Sequence, residues 1–513
     1  MQVSNSRHRR LRRRKRRIQY RLRERNWPAQ ERPMFRASNI HYEVADRTQA
    51  VGVGGIGVIH RMARQTGLIE AIDERLELLK VHLPYHESDH VLNMAYNILC
   101  GGTCPEDLEL LRNDEVYLNA LGTQRIPDPT TAGDFCRRFE VPDVVDLMDA
   151  ANETRLKVWA QQPASFFEQA IIDVDGVVAA TTGECKGGMD ISFKGIWGYH
   201  PLLVSLANTR EPLFLVNRSG NRPSHDGAVP WIDRSIDLVR RGGFRSILLR
   251  GDTDFTQTTE LDRWDEDGVQ FVFGIDAMPN LIEIAETLPK SWWKRLHRRA
   301  KYEIKTERRE RPENIKEQIV VAREFENIRL RSEDVAEFDY SPVKCTKSYR
   351  VVVVRKNLSV EKGESVLFDD VLYFFYITND LSTPADEIVF LANQRCDQEN
   401  LIEQLKNGVK AMRMPVDNLV SNWAYMVMAS LAWTLKAWFA LLLPEKGRWK
   451  QKYRQQKQQV QRMEFKRFVN GFIRLPCQIV RSGRRIVYRL LSWNPWMEVL
   501  LRGVDALQTP LRC

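Results

Sequence analysis

No two of the eight cysteines, at positions 100, 104, 136, 185, 345, 396, 477 and 513, form a Cys-x-x-Cys pair. Scattered in this way they indicate neither a disulfide framework nor a zinc site, and they fit a reducing cytosol. An apolar signal core is missing too. The arginines near the N-terminus are not followed by one, so the segment does not read as a secretory signal. Long unbroken apolar runs are also wanting. The nearest approach, Leu419–Leu443, is interrupted by Ser421, Asn422, Ser430, Thr434 and Lys436, and its aromatics Trp423, Tyr425, Trp433 and Trp438 are spread along it. A membrane span groups such rings at its ends, so a buried core or dimer helix is expected here. Acidic residues are in deficit, 67 against 77 Lys and Arg, which leaves a net charge of +10.

The 513 residues, 43% of them hydrophobic, describe a soluble chain with ample core and roughly three or four domains. The basic excess is concentrated. Residues 1–30 hold twelve Lys or Arg against one Glu, and further clusters lie at 290–311, around Trp292 and Trp293, and at 446–467, around Trp449 and Tyr453. The second and third clusters interleave aromatics with cations, the composition expected where phosphates are neutralised and bases stack. Any one charge run is commonly a solvated face, but three in one chain point to a polyanion.

Residues 31–45 read as a linker. Helical periods follow at Gly55–Gln65, Leu68–Leu79, Ser88–Leu99 and Pro142–Val158, with a Thr130/Thr131 cap ahead of Arg137 and Arg138 that suits either a groove-reading helix or an ordinary capped one. From 171 the pattern becomes strand, strand, strand, helix, strand, helix, strand: Ile171–Asp175, Leu202–Leu206, Pro212–Val216, Val229–Arg241, Ser246–Leu249, Thr258–Asp267 and Phe271–Phe273. Strand-like runs Tyr349–Val354 and Val366–Thr378 come next, before the chain returns to helix at about 385. The class is α/β. Residues 415–513 read as helices, and Arg481–Leu501, with Trp493 and Trp496, as an amphipathic stretch suited to core packing or to a partner surface.

Three acids stand out. Asp175 closes the first strand and Asp252 the fourth, which sets two carboxylates at the carboxyl ends of neighbouring strands. Asp favours turns, so each alone carries little weight. The third, Glu399, lies in the helical-looking stretch Arg395–Lys406, where a step of about 100° per residue puts Arg395, Glu399 and Lys406 on one face. A carboxylate flanked by two cations suits a divalent ion meeting a phosphate backbone, and an exposed helix with paired charges is the plain alternative. Asp173 lies on the same strand face as Asp175 and is the alternative first ligand, and Asp254 is likewise an alternative to Asp252. His200 and Arg250 suit either a supporting role at that site or a purely structural one.

In order along the chain, Asp173-Val-Asp175, Gly183-Glu184, Gly198-Tyr199-His200-Pro201, Arg218-Ser-Gly-Asn-Arg222-Pro, Leu249-Arg250-Gly-Asp252 with Phe255, Arg395-x3-Glu399-x6-Lys406 and Asn422-Trp423-Ala-Tyr425 resemble bacterial insertion-sequence DDE transposases, in particular the insertion sequence thirteen-eighty family. The related group carries Tyr-x2-Arg ahead of the third acid, and here the Tyr position is Ala392. The resemblance implies a ribonuclease-H-like catalytic core interrupted by a β-rich insertion, with helical N- and C-terminal regions. It implies a basic arm and linker (1–45), a helical DNA-binding domain (46–165), the core in two parts (166–280 and 385–443), the insertion (281–384) and a basic helical C-terminal region (444–513). Asp175, Asp252 and Glu399 would then hold two Mg²⁺ ions, with Mn²⁺ an alternative, about 3.5–4 Å apart for DNA strand cleavage and strand transfer. Arg395 and Lys406 would clamp phosphates, and no cofactor besides the metal is implied. Trp292 and Trp293 would stack a flipped base or else pack the insertion. The implied partners are double-stranded DNA, as terminal inverted repeats and target, and a second copy on that DNA; no membrane is implied, and the location is cytoplasmic, on the nucleoid.

Overall fold

The computed structural model describes residues 2–23, 34–35, 37–44, 48–298, 313–363 and 365–511. Part of the first basic cluster and most of the second, 299–311, therefore lie outside the described residues, as does part of the 31–45 linker. The chain divides into two compact units, Met1–Gln162 with Gly183–Gly187 and Glu403–Cys513, and Pro163–Thr182 with Gly188–Ile402.

In the first unit the apolar run forms one helix, Leu419–Leu441, started by Asn418, whose side chain accepts the Ser421 backbone N–H at 2.9 Å. Among the described residues it is the one helix long and apolar enough to cross a membrane, and its apolar span is buried throughout. A helix apolar on every face needs neighbours on every face. They include Ile56–Thr66, Glu87–Cys100, Pro129–Arg137, Val141–Trp159 and Lys450–Gln461.

Three local expectations are corrected here. The helix expected over Leu68–Leu79 stops at Asp73. Polar side chains redirect the chain there: the Glu87 carboxylate takes the backbone N–H groups of Leu78 and Leu79, and Asp73 takes both N–H and O–H of Ser88. The cap of Pro129–Arg137 is Asp128, not a threonine, with Pro129 in the first helical position, where its missing N–H costs nothing. Arg137 is paired with Asp134 and Asp417, and Arg138 reaches the Leu78 carbonyl, which favours the ordinary capped helix. Lastly, Arg481–Leu501 is not one amphipathic stretch. Cys477–Ser482 and Arg485–Leu490 form a hairpin, joined at its edge by Ala50–Val51, because Gly483 takes a positive φ of 58° between two short strands that each carry a β-branched pair, Ile479-Val480 and Ile486-Val487. The basic N-terminal arm is helical over Gln2–Arg21, with Arg7 on Asp505 at 2.6 Å and Arg14 on the Leu490 carbonyl.

The second unit is built on a nine-stranded sheet: β1 Gln169–Gly176, β2 Leu202–Leu206, β3 Glu211–Val216, β4 Ser246–Gly251, β5 Gln270–Ile275, β6 Lys294–Arg295, β7 Glu326–Tyr340, β8 Tyr349–Lys362 and β9 Ser365–Thr378. Their order across the sheet is β6-β7-β8-β9-β5-β4-β1-β2-β3. Strands β1 to β3 form an antiparallel meander, while β4 lies parallel to both β1 and β5. The helices Val229–Arg241 and Leu261–Glu266 precede β4 and β5, the crossovers that parallel pairing requires. Strands β7 to β9, within the segment read as an insertion, are not a sheet apart: β9 pairs with β5 antiparallel and continues the same sheet. Helix Ala385–Asn393 then packs Ile388 and Val389 onto Leu248, Val272, Val335, Val352 and Val354, which fixes the chain just before Arg395.

Candidate active site

The site follows from strand register. In the β1/β4 pair Asp173 stands opposite Arg250. Side chains repeat every two residues, so carrying the same register two residues further brings Asp175 alongside Asp252, about 4.8 Å of strand spacing away and on the same face. Two layers result. In the lower layer Asp173 and Arg250, 1% and 2% exposed, form a bidentate ion pair with bonds of 2.7 and 2.9 Å. Burial pushes the Asp173 carboxyl up and the guanidinium pulls it down; paired bonds of this kind are those of a carboxylate with a guanidinium, and the pair is ionised. Arg250 also donates to the Leu391 carbonyl at 2.9 Å, which ties β1, β4 and helix Ala385–Asn393 together.

In the upper layer Asp175 and Asp252 have no such private partner. Both meet one guanidinium, that of Arg395, at 3.1 Å from Asp175 and 3.7 Å from Asp252. Burial raises the Asp175 carboxyl to about 6, with Arg395 pulling it down and the charges of Asp252 and Glu399 pushing it up. Asp252 is also raised, again by burial first, with Arg395 opposing and Asp254 adding to the rise. Asp252 further caps the short turn Thr253–Phe255 by accepting the Asp254 N–H at 3.2 Å, and the fully buried Phe255 anchors that turn. Asp254 itself is exposed.

Arg395 sits in the break between helices Ala385–Asn393 and Cys396–Glu403, with Glu399 exposed on the second. The buried Gln398 holds that helix by donating to the Leu203 carbonyl at 3.3 Å, and Leu203 is the β2 residue paired with Asp175. The reading of one continuous helical face from 395 to 406 is corrected. The helix ends at Glu403, and a π-helical turn, Gln404–Gly408, changes the step per residue before Lys406. Lys406 belongs to the first unit, as do Gly183 and Glu184. The structure therefore brings Asp175, Asp252 and Arg395 into contact, with Glu399 in electrostatic reach.

The remaining motif residues build the frame. His200 bonds the Arg222 carbonyl through Nδ1 at 2.7 Å, and Arg218 donates to the carbonyls of His200, Ser224 and Asp226. Gly176 is needed where the strand leaves Asp175, because a Cβ there would lie 2.9 Å from His200 Nε2 and 3.0 Å from Ser224. In the first unit Asn422 is fully buried and bonds both backbone groups of Val416, while Tyr425 donates to the Lys410 carbonyl. Ala392 packs against the apolar cluster under its helix. Trp293 lies under the Arg355 guanidinium, 4.2 Å from ring centre, whereas Trp292 is 52% exposed, and Trp449 is exposed between Arg448 and Lys452.

Carboxylate oxygens close together, half withdrawn from water and short of positive charge, form a donor set that suits a hard divalent cation. The raised Asp175 fits the same need, since a nearby cation would lower it again.

Comparison with known proteins bears on this geometry. The profile of the family described as "Transposase DDE domain group 1" matches residues 38–511. No curated protein matches the chain significantly. Among solved structures, the piggyBac transposase synaptic complex with hairpin DNA is similar at a TM-score of 0.33 and 10% identity, covering 80% of this chain and 85% of that one. At that level the likeness carries no argument.

Proposed function

Since the chain belongs to the family of transposase DDE domains, group 1, we propose that it is a DNA transposase that binds the terminal inverted repeats of an insertion sequence and catalyses metal-dependent strand cleavage and strand transfer, moving the element by cut and paste. The observation that carries this reading is the pair Asp175 and Asp252 at the ends of two adjacent parallel strands, sharing the Arg395 guanidinium while Asp173 is already spent on Arg250.

Asp175, Asp252 and Glu399 would hold Mg²⁺ or Mn²⁺, two ions in the full site. The metal supplies Lewis-acid activation of the attacking oxygen and charge neutralisation at the leaving oxygen. The chain's own residues do the rest. Arg395, whose planar fork matches phosphate oxygens as well as carboxylates, orients the scissile phosphate beside the acids. Lys406 is proposed as a second phosphate contact. Gln398 and Arg250 act by position: one holds the Glu399 helix on β2, the other holds β1, β4 and the helix before Arg395 in register.

The finer assignments belong to the same proposal. They are a ribonuclease-H-like core around β1 to β5, an insertion over 281–384 that extends its sheet, membership of the insertion sequence thirteen-eighty group, a homodimer on DNA, and a cytoplasmic, nucleoid-associated location. The test is joining. A pre-cut element end with a free 3′-hydroxyl, incubated with the protein, Mg²⁺ and supercoiled target plasmid, should yield covalently joined product. A protein that cuts element ends yet never joins them is a nuclease of this family without strand transfer, and one that binds and does neither is a decayed DNA binder.

A further inference from the structure

Outside the acidic site, one cluster of metal-ligating side chains stands out among the described residues: His82, His86 and Glu87 in the first unit, whose donor atoms all lie within 4.8 Å of one another. We propose that these three form a transition-metal site, taking Zn²⁺ or a similar borderline ion, which fastens the 74–86 loop to the start of helix Glu87–Cys100.

The carboxylate is already oriented as a ligand. Glu87 is 1% exposed, and its Oε1 accepts the backbone N–H groups of Leu78 and Leu79 at 3.0 and 2.9 Å, which leaves Oε2 turned to His82 Nε2 at 3.1 Å. Supporting bonds of this kind fix a metal ligand before the metal arrives. The two imidazoles are stacked, ring centres 4.5 Å apart and planes 17° from parallel, and each offers a ring nitrogen within the 4.8 Å that spans the cluster. Donors of a tetrahedral ion with bonds of 2.0–2.1 Å stand about 3.3 Å apart. The widest pair thus closes by roughly 1.5 Å at most, a movement that exposed histidine side chains make by small rotations. Two imidazoles and one carboxylate leave the fourth position to water.

A helix N-terminus repels cations, and here acids offset it. Glu87 and Asp89 occupy the first turn, and Asp73 bonds Ser88 from the preceding helix. The loop has reason to need a fastener. Past the buried Leu76, its Val81 and Leu83 are 64% and 83% exposed, so apolar packing contributes little to holding its second half. Imidazole donors also separate this site chemically from the carboxylates Asp175 and Asp252, which prefer hard ions.

The test is titration of the full-length, tag-free protein with Co²⁺, in a background carrying Asp175→Ala and Asp252→Ala so that the acids contribute nothing. The proposal expects visible d–d absorption saturating at one ion per chain, abolished by equimolar Zn²⁺ but not by millimolar Mg²⁺. Glu87→Gln, which keeps the loop's backbone bonds, should bind about 100-fold more weakly, and His82→Ala with His86→Ala should give no band while thermal unfolding shows a folded protein. The proposal is overturned if no band forms, if the band survives the double histidine change, or if near-ultraviolet thiolate charge transfer shows that cysteines hold the ion.

Discussion

Asp173→Asn and Asp175→Asn remove the same charge from one strand face, two residues apart, and only the first should destabilise the fold. Asp173→Asn strands Arg250, 2% exposed, without its counter-charge. Breaking a buried pair in this way costs about 3–5 kcal/mol. At roughly 2–4 °C per kcal/mol for a unit of this size, Tm should fall by about 10 °C. Asp175 works the other way. Its folded value near 6 lies above the ordinary 3.8, so any stability it contributes is present below 3.8 and is lost as pH rises through 6. At pH 7.5 without metal the ionised carboxylate therefore costs about 3 kcal/mol at most, the pull of Arg395 already included. Asp175→Asn should then leave Tm unchanged or raise it by several degrees in EDTA. Thermal unfolding of both variants in EDTA, beside DNA cleavage in Mg²⁺, separates the two roles. Asp173→Leu with Arg250→Met should recover most of the lost stability, because apolar replacement of a whole buried pair is near neutral. An Asp173→Asn protein with wild-type Tm, or an Asp175→Asn protein destabilised just as much, would refute the two-layer reasoning.

Other consequences follow from the same geometry. Arg395→Ala should lower cleavage by about 10²–10³-fold, yet Mg²⁺ should saturate at a lower concentration, since the cation that meets Asp175 and Asp252 is gone; a Mg²⁺ titration of cleavage reads both. His90, 6% exposed and stacked on Phe135 at 4.3 Å, is pushed down by burial to about 4. The unfolded chain takes up that proton first, so stability is full above 6.5 and falls as pH drops from 6.5 towards 4; urea midpoints should show this slope in wild type and a shallower one in His90→Phe. Asn422→Ala leaves the buried Val416 N–H without its acceptor and should cost about 1–3 kcal/mol, read as a lower urea midpoint with an unchanged m-value.

How much of this was legible in the sequence depends on how local the cause is. The strands ending in Asp175 and Asp252 are short apolar runs closed by Asp and Gly, a signal carried within six or seven residues. The long Leu419–Leu441 helix was equally visible, because polar residues punctuate the run without breaking its helical course. The Asp173–Arg250 pair was not visible, since it rests on the register of two strands that lie far apart in the sequence. The same holds for the pairing of β9 with β5, which joins strands about a hundred residues apart. Helix Leu68–Asp73 ended early because Glu87 and Asp73 compete for backbone and cap groups, a tertiary effect that apolar periodicity does not register. The constant helical step from Arg395 to Lys406 failed at the π-helical turn, which no residue type announces.

The central claim is that Asp175, Asp252 and Glu399 act as one metal-dependent site on DNA. Its most direct test is cleavage of an end-labelled duplex carrying the element's terminal repeat, in Mg²⁺ and in EDTA, by wild type and by Asp175→Ala, Asp252→Ala and Glu399→Ala proteins whose binding to the same duplex is measured in parallel. The account predicts Mg²⁺-dependent cutting by wild type, and its loss in all three variants with binding kept. Cutting that survives in the folded Asp175→Ala protein, or a DNA-binding wild type that cuts under neither condition, would contradict it.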